Sequence, residues 1–135
     1  MNVSDFLYPS FEAVMEAHAM IIRTTGGQAG MVSSSMLKYI LETVQDIGEE
    51  LDDVGEAIKI KATYLMYRMI VSHPFLDGNK RSAFEVTKRF LELNNWIFMP
   101  RAEEAFSKLI LIAGDRLDQD DVEEWIGKNL RQGGN

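Results

Sequence analysis

Residues 54–94 read VGEAIKIKATYLMYRMIVSHPFLDGNKRSAFEVTKRFLELN, and they predict two helices joined by a short polar loop. Apolar side chains recur every three or four residues from about Val54 to Ser72, as along the buried face of a helix. Pro74 ends this helix because the residue before a proline is pushed out of the α region. The helical pattern resumes at about Asn79 and continues to Asn94. This stretch therefore predicts an all-α fold in which two central helices flank one loop.

Four further helices are predicted outside this stretch, because apolar residues recur there at helical spacing and almost never alternate as in strands. Ser10, the serine run 33–35 and Asp118 are candidate N-caps for three of them. Residues 96–100 are predicted to be a short extended link. The predicted apolar faces are Phe11, Val14, His18 and Ile21 or Ile22; Leu37, Ile40, Leu41 and Val44; Ala102, Ala105, Phe106, Leu109, Ile110 and Ala113; and Val122, Trp125, Ile126 and Leu130.

The composition is typical of a single domain over residues 1–135, with residues 1–9 and 131–135 expected to be loosely ordered. Hydrophobic residues make up 46% of the 135-residue chain, which is enough for one core. The chain has no cysteine, which excludes disulfides and thiolate metal sites. We find no signal-peptide pattern and no apolar run of about 20 residues, so we expect a cytoplasmic protein and no membrane partner.

The charge balance argues against a nucleic-acid partner. The formal net charge is −7, whereas binding through backbone phosphates requires a basic surface. An acidic surface suits a protein partner that carries basic side chains. Any phosphate chemistry must therefore come from a local cationic pocket.

The loop from His73 to Arg81 packs an imidazole, a carboxylate, a glycine, an amide and two cations into nine residues. His73 is a candidate general base, because imidazole exchanges protons near neutral pH. Asp77 is a candidate magnesium ligand, since Mg²⁺ is usually held by one or two carboxylates together with phosphate oxygens and water. Phe75 and Leu76 are apolar within this polar loop, and at least one is expected to insert into the core and anchor it.

The second half of the loop is predicted to bind an anion. Gly78 lets the backbone bend and approach a ligand closely. A helix that begins near Asn79 presents unpaired N–H groups and the positive end of its dipole. Lys80 and Arg81 oppose that dipole in the first turn, which makes sense if a phosphate lies between them and the helix end. The alternative is a helix-capping loop with surface charges.

Residues 73–81 resemble the active motif of the Fic/Doc family, His-x-Phe-x-acid-Gly/Ala-Asn-Gly/Lys-Arg, and every specified position matches. The resemblance covers roughly residues 10–127 and implies a compact bundle of six to seven helices with the active loop between two central helices. Outside the motif, the segments similar to death-on-curing (Doc) toxins are His18, Gly26-Gly27 with Gly30, Phe90 to Trp96, and Leu117 to Trp125.

Proteins of this family transfer part of a nucleoside triphosphate to a hydroxyl group of a target protein. The resemblance therefore implies ATP and Mg²⁺ as cofactors. It makes His73 the base, Asp77 the magnesium ligand and Phe75 a loop anchor, and it assigns phosphate binding to Gly78, Asn79, Lys80 and Arg81.

Two positions favour the Doc-like branch, which is associated with phosphate transfer. Lys80 stands where most AMP-transferring members have glycine, and Phe84 stands where they usually carry a second arginine. Met31-Val32 departs from the Arg-Asp that toxins of this branch usually have there. The resemblance thus implies a toxin that phosphorylates a protein such as a translation elongation factor. AMP transfer by the same loop and an inactive Fic-fold binding module are the alternatives.

Many Fic proteins restrain themselves with an inhibitory Ser/Thr-x-x-x-Glu-Gly/Asn helix, and no serine or threonine of this chain has glutamate four residues on. The resemblance therefore implies a separate antitoxin, expected as a disordered segment that folds into a groove. His18 is predicted to be a buried histidine with a hydrogen-bond partner rather than a site residue. The acidic run 49–53 is predicted to be a solvated loop, with a target-docking flap as the alternative.

Overall fold

The computed structural model describes residues 2–134 of the chain. These residues form six α-helices, one short 3-10 helix and two short strands. The elements are the 3-10 helix Val3–Asp5, α1 Phe11–Thr25, α2 Ser34–Asp46, α3 Val54–Ser72, α4 Asn79–Leu93, β1 Trp96–Phe98, α5 Ala102–Ala113, α6 Gln119–Lys128 and β2 Leu130–Gln132. The prediction of an all-α bundle is confirmed. Within residues 2–134, no helix has the length and apolar character needed to cross a lipid bilayer.

Helix α3 is the centre of the bundle and packs against α2, α4, α5 and α6. Its side chains are buried on nearly every side, as a helix enclosed by neighbours requires. Ile58, Leu65, Met66, Met69 and Ile70 are all completely shielded from solvent. The loop that follows α3 therefore starts from the most deeply buried element of the molecule.

Side-chain caps define the starts of four helices. Ser10, Ser33, Asp53 and Asp118 each accept a hydrogen bond from the backbone N–H three residues further on, at the starts of α1, α2, α3 and α6. Such a cap satisfies one of the N–H groups that a helix leaves unpaired. The serines and Asp118 are caps that the sequence predicts, whereas Asp53 lies in the predicted acidic loop.

Part of that acidic loop is tied to the core by Lys61, which is fully buried. The Nζ atom of Lys61 lies 3.0 Å from an oxygen of Glu49. It also donates to the carbonyl oxygens of Val44 and Gln45 at 3.0 and 3.1 Å. These carbonyls lie in the last turn of α2 and lack partners within the helix. The prediction that residues 49–53 form a solvated loop was therefore incomplete, because the Glu49 carboxylate neutralises the buried ammonium group of Lys61.

The N-terminal segment takes part in the core, although we predicted residues 1–9 to be loosely ordered. Val3 and Phe6 are buried. The backbone of Leu7 is held by the Asn94 side chain, which accepts from its N–H at 2.8 Å and donates to its carbonyl at 2.9 Å. Leu7 and Asn94 are 87 residues apart in the sequence, so the local pattern of residues around either one does not reveal the contact.

The C-terminal segment likewise departs from the predicted loose tail over residues 131–135. Strand β2 pairs antiparallel with β1, so that Leu130 lies opposite Phe98 and Arg131 lies opposite Ile97. Strands of three residues are too short to show a clear alternating pattern. Met1 and Asn135 lie outside the described residues.

The predicted apolar face of α5 is only partly buried. Ala105 is buried, but Phe106 is 65% exposed and Ile110 is 47% exposed, while the buried Ile112 was not on the predicted face. Helical spacing correctly grouped apolar residues on one face. The structure leaves much of that face open, and it forms one wall of the cavity described below.

Candidate active site

The candidate active loop begins at the end of α3. His73 follows the last helical residue and adopts a left-handed conformation, with φ 47° and ψ 60°. A residue other than glycine in this region stores about 1–3 kcal/mol of strain, which the surrounding structure must hold in place. The side chain of His73 is exposed, so a hydroxyl group from another protein can reach it.

Phe75 anchors the loop to the core. Its side chain is only 1% exposed, while the neighbouring Leu76 is 48% exposed. The Phe75 ring stacks on His18 from α1, with ring centroids 3.7 Å apart and planes 7° from parallel. His18 is itself 3% exposed, and its Nε2 lies 2.8 Å from the carbonyl oxygen of Asp77. As the sequence predicts, His18 is a buried histidine with a hydrogen-bond partner.

The Asn79 side chain closes the loop. Its Oδ1 accepts from the N–H of Phe75 at 3.0 Å, and its Nδ2 donates to the carbonyl of Phe75 at 2.8 Å. The resemblance assigned phosphate binding to Asn79. The side-chain oxygen and one N–H of Nδ2 are therefore engaged within the loop, which leaves the second N–H of Nδ2 and the backbone N–H of Asn79 for an anion.

A second segment, residues 26–33, is joined to the loop by hydrogen bonds of its own backbone. The N–H of Gln28 donates to Oδ2 of Asp77 at 2.7 Å, and the N–H of Leu76 donates to the carbonyl of Gly30 at 3.1 Å. The Pro74 carbonyl accepts from two further N–H groups of the same segment. These contacts were not predicted from the sequence. The cluster of three glycines was the available signal, because positive φ angles at Gly26, Gly27 and Gly30 let the chain run close to the loop.

The start of α4 differs from the other helix starts in residues 2–134. Gly78 precedes it in a left-handed conformation with φ 79°, and neither a capping side chain nor an acidic residue is present in its first turn. No described residue accepts a hydrogen bond from the N–H groups of Gly78 through Arg81. Lys80 and Arg81 are exposed beside these N–H groups. The arrangement concentrates positive potential at one point of an otherwise acidic chain.

This helix start opens into a cavity of about 680 Å³. Gly78, Asn79, Lys80 and Arg81, the four predicted phosphate-binding residues, line one part of it. The aromatic residues that line the rest are Phe84, Phe98 and Phe106. Of these, only Phe84 was linked to the site from the sequence; Phe98 and Phe106 were not, although the apolar run of α5 was visible.

His73, Phe75 and Asp77 do not line this cavity. They belong to the same loop, whose backbone leads directly into its wall at Gly78. The loop thus begins with an exposed imidazole and ends at the start of α4, where unpaired N–H groups and two cations lie together.

The residues present fit a magnesium ion only in combination with other ligands. Within the described residues, no group of three or more carboxylates and imidazoles is close enough to hold a metal. Asp77 provides one exposed carboxylate, and one of its oxygens is already bonded to Gln28. Magnesium is commonly held by one carboxylate together with phosphate oxygens and water, so a bound triphosphate would supply what the chain lacks.

A comparison with models of protein families identifies the family of this chain. No curated protein matches the chain. The family model described as the Fic/DOC family matches residues 8–91, which is more than half of the chain. The matched region includes α1, residues 26–33, the whole candidate loop and most of α4. The chain therefore belongs to the Fic/DOC family, whose members are usually protein-modifying transferases.

Proposed function

We propose that this protein is an ATP- and Mg²⁺-dependent transferase that phosphorylates a hydroxyl group of a target protein. The observation that carries the proposal is the start of α4, where unpaired N–H groups, Lys80 and Arg81 open into a cavity, in a loop that begins with the exposed His73. Such a site stabilises the charge of phosphate oxygens in the ground state and in the transition state.

His73 is the proposed general base. The hydroxyl oxygen of the target attacks the γ-phosphorus of ATP, the bond from that phosphorus to the β–γ bridging oxygen breaks, and ADP leaves. The hydroxyl proton passes to the imidazole of His73. A magnesium ion, when bound, neutralises charge on the phosphate oxygens. Asp77 would hold it, while the N–H groups at residues 78–81 and the two cations orient the phosphates.

Phe84 favours phosphate transfer over AMP transfer. It lies where AMP-transferring relatives usually carry a second arginine, and it lines the cavity. Its ring packs against Phe98, with centroids 5.7 Å apart. An aromatic side chain cannot donate hydrogen bonds to a phosphate as a guanidinium does. Among the described residues that line the cavity, Arg81 is therefore the one arginine, and it is accompanied by Lys80 and Lys88.

We further propose that the target is a cytoplasmic protein such as a translation elongation factor, and that a separate antitoxin restrains the enzyme. The open apolar wall of α5 supports the second part of this proposal. Phe106 and Ile110 are exposed in the same cavity as Lys80 and Arg81. A segment of an antitoxin that laid apolar side chains on this wall would cover the cationic helix end as well.

The test uses purified protein, a cell extract as the source of targets, and ATP labelled at either the α or the γ position. Phosphate transfer predicts labelled protein from γ-labelled ATP only. Label from the α position would instead establish AMP transfer by the same loop. No label from either form, together with no binding of ATP, would identify a Fic-fold binding module and refute the proposal.

His73→Ala is the matching variant in this assay. Loss of a positioned base is expected to lower the transfer rate by about a hundred- to ten-thousand-fold. The histidine is exposed, so the folded structure should be retained, and an unchanged far-ultraviolet circular dichroism spectrum would verify this. Full activity in this variant would exclude His73 as the base.

A further inference from the structure

His18 lies on α1, outside the candidate loop, yet it touches the loop at two places. It stacks on Phe75, and its Nε2 is bonded to the carbonyl of Asp77. We propose that His18 is a positioning residue that holds the Asp77–Gly78 peptide in the one orientation that directs the Gly78 N–H toward a bound phosphate. This inference rests on the proposed function.

The hydrogen bond defines which atom carries the proton. A carbonyl oxygen only accepts hydrogen bonds, so Nε2 of His18 must be the donor across the 2.8 Å contact. The donor is 3% exposed, which leaves little water to replace it. Without His18, the Asp77 carbonyl would lose its partner in a poorly solvated position, which is unfavourable.

The peptide geometry transmits this contact to Gly78. The peptide bonds of the described residues are all trans, so the N–H of Gly78 points in the direction opposite to the Asp77 carbonyl. Because the carbonyl faces His18, the N–H faces away from it. No described residue accepts from that N–H, and Gly78 lines the cavity beside Lys80 and Arg81. The direction of the N–H is therefore set by a side chain from another helix.

Because residue 78 is glycine, other contacts must fix the orientation of the Asp77–Gly78 peptide. Gly78 has no Cβ and adopts positive or negative φ angles with similar ease, so the preceding peptide is free to flip unless something fixes it. The packing around the ring prevents His18 from moving aside. Phe75 covers one face of the imidazole, with ring centroids 3.7 Å apart, and the ring is 3% exposed.

Two substitutions separate the hydrogen bond from the packing. His18→Phe retains an aromatic ring to stack on Phe75 but removes the donor. His18→Gln places an amide N–H near the position of Nε2 but removes the stack. If the donor matters, His18→Phe should weaken the binding of magnesium–ATP by about tenfold or more, and His18→Gln should recover most of the affinity. Isothermal titration calorimetry measures both values, and thermal unfolding shows that each variant is folded.

The Gly78 amide provides a readout that a merely structural role would not move. In a ¹⁵N-labelled sample, its proton resonance should move downfield when magnesium–ATP binds to the wild type and to His18→Gln. It should respond much less in folded His18→Phe. Unchanged ATP affinity and an unchanged Gly78 response in His18→Phe would overturn the inference. Failure of the proposed function has a different signature, because the wild-type protein would then either not bind ATP or transfer label from the α position.

Discussion

Helices α4 and α6 begin in opposite ways. At α6, the Asp118 carboxylate accepts from the N–H of Asp121, and the Asp121 carboxylate accepts from the N–H of Asp118. At α4, Gly78 offers no side chain, and the first turn contains the cations Lys80 and Arg81 where α6 has two acids. Helix α6 pairs N–H groups at its start with its own carboxylates, whose negative charge also complements the helix dipole. Helix α4 leaves its first N–H groups and the positive end of its dipole free for an external anion.

The two starts are also held in place by different means. Residues within one turn of each other build the capping box of α6. The start of α4 is held by tertiary contacts, in which Phe75 is buried and Asn79 closes the loop. A helix start that leaves its N–H groups free for a ligand needs this kind of support, because it cannot use a local cap. Four predictions test the comparison, from the largest expected effect to the smallest.

Phe75→Ala should lower the free energy of unfolding by about 3–5 kcal/mol, because it leaves a cavity beneath the loop. Leu76→Ala is the matched control in the same loop. Its side chain is 48% exposed, so it should change stability by no more than about 0.5 kcal/mol. Urea denaturation measures both variants. Equal effects would show that the loop is not anchored through Phe75.

Lys80→Glu should weaken ATP binding by about tenfold or more, because hydrogen bonds to charged groups contribute about 1.5–3 kcal/mol and the new carboxylate repels phosphate. Asp120→Lys is the control at the same position of α6, the second helical residue. Asp120 is exposed and does not line the cavity beside Lys80 and Arg81, so this change should leave ATP affinity within about twofold of the wild type. Calorimetric titration with magnesium–ATP provides both constants. Similar affinity in Lys80→Glu and the wild type would remove Lys80 from the anion site.

Asp118→Ala should lower the free energy of unfolding by about 1 kcal/mol, because it deletes the N-cap of α6. Gln119→Ala, at the next position, removes no capping interaction and should have little effect. Chemical denaturation of the two variants side by side is the measurement. If Asp118→Ala were as stable as Gln119→Ala, the claim that local capping supports α6 would be wrong.

Exchange of the first-turn charges should have the smallest effect. Lys80→Glu should raise the free energy of unfolding by about 0.3–1 kcal/mol, and Asp120→Lys should lower it by a similar amount. Both positions are exposed, so the change acts mainly on the helix dipole. Thermal unfolding at low ionic strength would show shifts of opposite sign. A stabilised Lys80→Glu that also loses ATP would show that stability was given up for anion binding at α4.

Much of the fold was predictable because it depends on local patterns. The limits of α3, the cap Asp118 and the buried face of α2 follow from periodicity and capping chemistry. The open wall formed by Phe106 was not predictable, because helical spacing shows which residues share a face but not whether a neighbour covers it. The pairing of β1 with β2 was not predictable either, because a local pattern does not show which distant segment a strand will pair with.

In the candidate site, the sequence by itself determined which chemical groups are present: an imidazole, a carboxylate, a glycine and two cations in one loop. Only the tertiary structure decided how they are used. It assigned the Asn79 side chain to closing the loop, brought Gln28 to Asp77, and placed His18 against the peptide before Gly78. The physical reason is that residue types and spacing specify local conformation, whereas the direction of a backbone N–H depends on contacts between distant segments.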